Sequence, residues 1–79
     1  MSLELLRFAC NMQQELDNND NKCGWVHLSP KWIINRIRQE TKELEKAIKN
    51  KATKRRIISE CADIANFAMM LADNIRRPE

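Results

Sequence analysis

The chain has 79 residues, of which 43% are hydrophobic and 32% are charged, with one Gly, two Pro and no Tyr. These values predict one small, helix-rich globular domain and exclude a disordered chain. The net charge of +3 tolerates an anionic ligand but is too small to indicate nucleic-acid binding by itself. A chain of this size buries only about 60% of its unfolded surface, so size alone favours a partner subunit.

The chain has three cysteines and no CxxC pair: Cys10, Cys23 and Cys61. The odd number indicates reduced thiols in an intracellular protein. Cys23 and His27 have a zinc-like spacing but lack a second pair of ligands, so the zinc signal is weak. No segment approaches ~18 apolar residues, and Glu4 and Arg7 interrupt the N-terminal run. We therefore expect a cytoplasmic protein without a membrane segment.

Apolar residues recur with the 3.6-residue period of a helix in three segments, which predicts three amphipathic helices. The first covers residues 3–17 and ends in a run of Asp and Asn residues, whose side chains favour turns. The second begins at Ser29 and Pro30, a hydroxyl N-cap followed by a proline at the first helical position. It runs to about Lys49.

The third predicted helix follows a turn at residues 50–53, in which Thr53 is the expected N-cap. Its apolar residues form two lines. The first line contains Ile57, Cys61, Ile64, Ala68, Leu71 and Ile75. The second line contains Ile58, Ala62, Ala65, Met69 and Ala72. Such a helix needs neighbours in two directions, so we place it at the centre and expect the other helices to cover one line fully and part of the other.

The predicted fold is therefore an all-α, three-helix protomer of one domain spanning residues 1–79. Apolar surface left uncovered on the third helix would form a patch of the kind that monomers avoid. A second copy of the chain would cover it and complete a four-helix bundle. We expect a homodimer or a homotetramer.

Two features outside the apolar lines have two interpretations each. Trp25 lies beside the only Gly, in the loop before the second helix, and either caps the core or offers a flat surface for stacking a base.

Six basic residues lie between Lys46 and Arg56. They form either a solvated elbow between helices or an attractor for phosphates.

Two pairs of acidic residues have the i,i+3 spacing that places both members on one face of a helix: Glu40 with Glu43, and Glu60 with Asp63. Glu40 occupies an apolar position in the stripe of the second helix, where an ion pair with Arg36 is the alternative explanation. Antiparallel packing of the second and third helices would gather all four carboxylates. Such a cluster needs a hard cation, and ligands that are all oxygen favour Mg²⁺ or Mn²⁺.

The sixteen residues between Glu43 and Glu60 complete a pattern that resembles the paired motif of the all-α MazG-like nucleoside triphosphate pyrophosphohydrolases. The resemblance spans roughly residues 8–75 and is greatest to small phage-type members that act on dATP or dGTP. Further matching segments are Lys22, Gly24-Trp25, Ser29-Pro30-Lys31, Glu43-Leu44 and Cys61-Ala62-Asp63-Ile64-Ala65-Asn66-Phe67. Many members have an acidic pair where this chain has Gln39-Glu40, and some have a hydroxyl where it has Phe67.

The resemblance implies a Mg²⁺-dependent hydrolase that splits a (deoxy)nucleoside triphosphate into monophosphate and pyrophosphate and so cleans the nucleotide pool. The implied metal ligands are Glu40, Glu43, Glu60 and Asp63, of which Glu43 and Glu60 are the candidate catalytic residues. The implied substrate-binding residues are Trp25, Lys31 and Phe67. The alternative from another class is a non-catalytic, oligomeric interaction protein whose carboxylates are structural.

Overall fold

The computed structural model describes residues 1–19 and 24–78, and three helices account for most of them: α1 (Leu3–Asn18), α2 (Pro30–Lys49) and α3 (Lys54–Arg76). No residue within these ranges belongs to a β-strand. The predicted all-α class is therefore confirmed, and the helix bounds agree closely with the predicted ones. None of these helices is both long enough and apolar enough to cross a membrane.

Each helix begins at a hydroxyl side chain that accepts a hydrogen bond from a backbone N–H three residues further on. The three pairs are Ser2 with Leu5, Ser29 with Trp32, and Thr53 with Arg56. These bonds satisfy amides that the first turn of a helix leaves without partners. The N-caps predicted at Ser29 and Thr53 are confirmed, and Ser2 is an additional one.

Helix α3 lies at the centre of the fold. Both α1 and α2 pack against α3, and within the described ranges their backbones do not approach each other closely. Helices α2 and α3 are joined by a short turn in which Lys51 has a φ of 55°, the left-handed conformation. This turn reverses the chain, so the two helices that carry the acidic pairs lie side by side. The central position predicted for the third helix is confirmed.

The face that α3 buries differs from the predicted one. The buried residues of α3 are Glu60, Ala62, Asn66 and Met70. Neither predicted apolar line is fully covered, since Ile58 is 44% exposed and Ile75 is 70% exposed. The expected full cover of one line was wrong because α1 and α2 pack around the flank that carries the carboxylates. At about 100° per residue, the first apolar line lies roughly opposite Asn66.

Candidate functional site

Three carboxylates meet where α2 packs on α3. Glu40, Glu60 and Asp63 each offer one oxygen, and these oxygens all lie within 4.8 Å of one another. Glu60 is buried and the other two residues are half-buried. Glu43 is exposed and lies outside this group, although its charge reaches Glu40. The structure thus brings together three of the four predicted ligands.

Two arginines pair with this acidic cluster, which we define as Glu40, Glu60 and Asp63. Arg36 contacts Glu40 at 2.9 Å and Arg56 contacts Glu60 at 2.9 Å, both one helical turn apart. The ion pair considered as the alternative explanation for Glu40 is therefore present, together with the cluster. All six basic residues of segment 46–56 are exposed, and Arg56 is the one that reaches the cluster.

One oxygen of the cluster lacks a partner. Glu60 Oε2 is buried and accepts no hydrogen bond from any described residue. A buried carboxylate oxygen without a donor or cation is unfavourable, because it has lost its hydration without compensation. Three converging carboxylates and this unpaired oxygen are the donor set that Mg²⁺ and Mn²⁺ prefer. The residues present therefore fit such an ion.

The pKa values of Glu40 and Asp63 are raised. Burial raises the pKa of Glu40; the charge of Arg36 opposes this shift, and the nearby Glu60 adds to it. Burial raises the pKa of Asp63 to about 6, and the charges of Glu15, Glu40 and Glu60 add to the effect. Desolvation and like charge both disfavour the ionised form of a carboxyl. Without a cation, Glu40 and Asp63 therefore bind protons more tightly than ordinary carboxyls do.

Helix α1 contributes a fourth carboxylate, which the sequence analysis missed. Glu15 Oε1 accepts a hydrogen bond of 2.6 Å from Ser59 Oγ on α3. Glu15 is half-buried, and its charge raises the pKa of Asp63. Its position in the sequence could have indicated this role. Glu15 lies three residues after Met12 and seven after Phe8, which places it on the apolar face of α1.

The acidic cluster borders a cavity of about 420 Å³. Its walls include two acidic residues, a buried amide and three aromatic rings: Glu40, Asp63, Asn66, Trp25, Trp32 and Phe67. Small-molecule sites in proteins are usually a few hundred Å³ or more and combine apolar walls with a few polar groups. The cavity has this character, with charge at one end and flat apolar surface at the other.

Trp32, Phe67 and Arg36 form a connected group in the cavity wall. The rings of Trp32 and Phe67 are arranged edge to face with centroids 6.3 Å apart. The Arg36 guanidinium lies 5.2 Å from the centroid of Phe67 and 6.0 Å from that of Trp32, within reach of a cation–π interaction. Because Arg36 also binds Glu40, it joins the aromatic group to the acidic cluster.

Trp32 was not among the predicted site residues. Its signal was the spacing on α2, where Trp32, Arg36 and Glu40 follow one another at intervals of four residues and therefore share a face.

Trp25 is held in place by the C-terminal part of α3. Its indole Nε1 donates to Asp73 Oδ2 at 2.9 Å, and Asn74 Nδ2 donates to the Trp25 carbonyl at 2.9 Å. The hydrogen bond from Trp25 lowers the pKa of Asp73. Trp25 therefore packs between elements, as one interpretation expected, and also lines the cavity, as the other requires. Stacking of a base on it stays a prediction.

The other predicted substrate residues differ in position. Phe67 lines the cavity, whereas Lys31 is exposed on the first turn of α2 and is not part of the wall. Two sequence observations depend on residues outside the described ranges. These are the family match at Lys22 and the weak zinc spacing between Cys23 and His27.

Comparisons of the chain with protein-family models, with curated proteins and with solved structures find no match. The resemblance to the MazG-like enzymes therefore stays a prediction from the spacing of the acidic pairs. Functional inference from the structure starts from the acidic cluster and the aromatic cavity that it borders.

Proposed function

We propose that this protein is a Mg²⁺-dependent hydrolase that converts a (deoxy)nucleoside triphosphate to the monophosphate and pyrophosphate. The observation that carries the proposal is that the acidic cluster borders, through Glu40 and Asp63, a cavity of about 420 Å³ that three aromatic side chains also line. A nucleotide has the matching polarity, because its triphosphate binds cations and its base offers a flat face for stacking. Mn²⁺ is the expected substitute for Mg²⁺.

The acidic cluster would hold the metal through Glu40, Glu60 and Asp63. When bound, Mg²⁺ supplies positive charge to the phosphate oxygens and acidifies water. Glu60 brings the unpaired Oε2 to the ion. Glu43 is exposed beside the cluster, in a position to orient a water molecule entering from solvent. The role proposed for Glu43 is thus catalytic rather than that of an inner ligand.

The aromatic side chains would bind the base. Trp25, Trp32 and Phe67 present ring surface to the cavity, and stacking on such rings contributes roughly 1–3 kcal/mol per base. Arg36 lies between the rings and the acidic cluster, where its charge can meet a phosphate oxygen. Lys31, which is exposed five residues before Arg36, would contact the substrate only outside the cavity wall.

The direct test is metal-linked stability and product analysis. Millimolar Mg²⁺ with a nucleoside triphosphate should raise the melting temperature, since a ligand that binds only the folded state stabilises it. A panel of triphosphates should yield pyrophosphate and a monophosphate. Asp63→Asn should lose both effects, and Glu45→Gln, an exposed carboxylate elsewhere on α2, should keep them. No shift in melting temperature and no pyrophosphate would overturn the proposal.

We propose further that the protein works as a dimer or tetramer of this MazG-like protomer. Support comes from the apolar side chains that one chain leaves exposed, which include Leu3, Leu5, Leu6, Trp32, Ile34, Ile48, Ile58 and Ile75. A second copy packed on α3 would complete a four-helix bundle. Light scattering should show at least twice the 9.3 kDa of one chain. Ala65→Glu should separate the subunits, and a stable wild-type monomer would refute this assembly.

A second candidate function is a non-catalytic interaction protein with structural carboxylates. The observation that favours it is that Arg36 and Arg56 already neutralise Glu40 and Glu60 without a metal. The two functions differ in their response to Mg²⁺, since a structural ion-pair network gains no stability from the ion. Destabilisation of the metal-free protein by Asp63→Asn would favour this second function.

A further inference from the structure

The side chain of Asn66 has a defined orientation in the interior. Asn66 is only 4% exposed and lies on the buried face of α3. Its Nδ2 donates a hydrogen bond of 2.9 Å to the backbone carbonyl of Met12 on α1. Because a carbonyl can only accept, the amide nitrogen must face Met12, and the amide oxygen does not share this partner.

The amide oxygen has no partner. Asn66 Oδ1 is buried and accepts no hydrogen bond from the described residues. Asn66 is also part of the wall of the cavity, next to Phe67. Buried acceptors are nearly always paired, so an unpaired one in the wall of a binding cavity marks a place for a ligand donor. Oδ1 is closed to solvent, so a donor would reach it once a side chain of the cavity wall turns aside.

The surroundings of Asn66 also favour donors. Asp63 lies one turn before Asn66 on α3, and Asp63 and Glu40 line the same cavity. A carbonyl oxygen on the edge of a bound ring would face the unpaired acceptor of Asn66 and the carboxyl oxygens of Asp63 and Glu40. An amino group would face them with hydrogen atoms instead.

We infer that Asn66 is a specificity-determining residue that selects bases carrying an exocyclic amino group over thymine and uracil. The inference rests on the proposed function, because it takes the cavity as the base site. Adenine, guanine and cytosine carry an amino group. Thymine and uracil offer only a ring N–H between two carbonyl oxygens, and both oxygens would meet the acceptors described above.

The test compares two ligands that differ at the group in question. The monophosphates of 5-methyldeoxycytidine and thymidine have the same ring and methyl group, but the first has a 4-amino group and the second a 4-carbonyl. Calorimetric titration of the wild-type protein should give a Kd at least about tenfold lower for the 5-methyldeoxycytidine monophosphate, since an unpaired buried polar group is strongly penalised. Asn66→Ala should bring the ratio of the two Kd values close to one.

The matched control is Asn74→Ala. Asn74 is another α3 asparagine with an unpaired Oδ1, but it is not part of the cavity wall. It anchors the Trp25 carbonyl, so its loss should weaken both ligands and leave their ratio unchanged. Asn66→Ser provides a second variant if Asn66→Ala does not fold, and the wild-type ratio alone already decides whether the preference exists.

Equal affinities in the wild type, a ratio unchanged by substitution of Asn66, or no binding of either ligand would each overturn the inference. The proposed function fails separately. Pyrophosphate release from all triphosphates without base preference would contradict the inference about Asn66 but not the proposed hydrolase function. A tenfold preference for the ligand with the amino group, without any hydrolysis or response to Mg²⁺, would contradict the hydrolase proposal and leave Asn66 as a determinant of ligand selection.

Discussion

The two ends of the cavity are built on different physical principles. At the acidic end, Glu40, Glu60 and Asp63 are held close together against their mutual repulsion, and two arginines offset only part of the charge. At the aromatic end, Trp25 and Trp32 are held by hydrogen bonding and ring packing, which carry no net repulsion. The acidic end should therefore respond strongly to metal and pH, and the aromatic end to changes of shape.

The largest effect is expected from Asp63→Asn, which removes a charge at the acidic end while keeping the size of the side chain. Hydrolysis should fall by at least about 100-fold, since removing one well-placed catalytic or ligand group commonly costs this much. Pyrophosphate release measures it. Binding of a nucleoside monophosphate at the aromatic end should change little. Glu45→Gln is the control, and hydrolysis within a few-fold of wild type in Asp63→Asn would remove that residue from the site.

At the aromatic end, Trp32→Leu should weaken nucleotide binding by about tenfold, because a stacking surface is lost. The loss should appear in KM rather than in kcat, and the Mg²⁺-dependent rise in melting temperature should persist. Trp32→Phe keeps an aromatic face beside Phe67 and should recover most of the affinity. A Trp32→Leu variant with unchanged KM would show that the base binds elsewhere.

The sequence predicted the acidic end better than the aromatic end. The spacing of the two acidic pairs along α2 and α3 is visible in one dimension, and it identified three carboxylates that meet. The group of Trp32, Arg36 and Phe67 depends on contact between two helices, which the periodicity of either helix does not reveal. Glu43 was grouped with the other three because i,i+3 neighbours share a face of the helix, but in the structure Glu40 packs against α3 and Glu43 is exposed.

Helix bounds were predictable for a similar reason. The N-caps at Ser29 and Thr53 are local signals, and each acts within three residues of its own position. The buried face of α3 was not predictable from hydrophobicity alone. Asn66 is buried because Met12 on another helix satisfies its amide nitrogen, and a pattern that counts apolar residues assigns it to the surface.

The pH dependence of stability should also distinguish the acidic end of the cavity from the aromatic end. The pKa of Asp63 is raised from its ordinary value of 3.8 to about 6 in the folded protein, so the folded state binds more protons between these values and loses stability as pH rises through them. In metal-free buffer, Asp63→Asn should be more stable than wild type at pH 7 by roughly 1–2 kcal/mol after solvent screening. Near pH 4 the difference should vanish, because Asp63 is then largely protonated in the folded wild type.

Asp73 provides a control of opposite sign for this measurement. Its pKa is lowered by the hydrogen bond from Trp25, so its ionised form stabilises the fold at neutral pH. Asp73→Asn should therefore reduce stability at pH 7, as followed by thermal or urea unfolding. If Asp63→Asn also reduced it, Asp63 would be part of a structural ion pair rather than of a strained acidic cluster.

The smallest effect is expected from Ser59→Ala, which removes the hydrogen bond to Glu15 and leaves the acidic cluster intact. The free energy of unfolding should fall by about 0.5–1 kcal/mol, the usual contribution of one hydrogen bond. Urea denaturation measures the change. A loss of activity as large as that of Asp63→Asn, without a loss of stability, would instead give Glu15 a direct part in the chemistry.

The attachment of α1 has a consequence for how the cavity opens. This helix has no buried residue, and its two polar links to α3, at Met12 and Glu15, lie in its C-terminal half. Leu3 and Leu5, at its start, are more than half exposed. Amide hydrogens of α1 should therefore exchange with deuterium through local opening, well before those of α2 and α3. Because Leu16 forms part of the cavity wall, such opening would widen the cavity from the side of α1, and a nucleotide bound there, as proposed, should slow the exchange in α1 most.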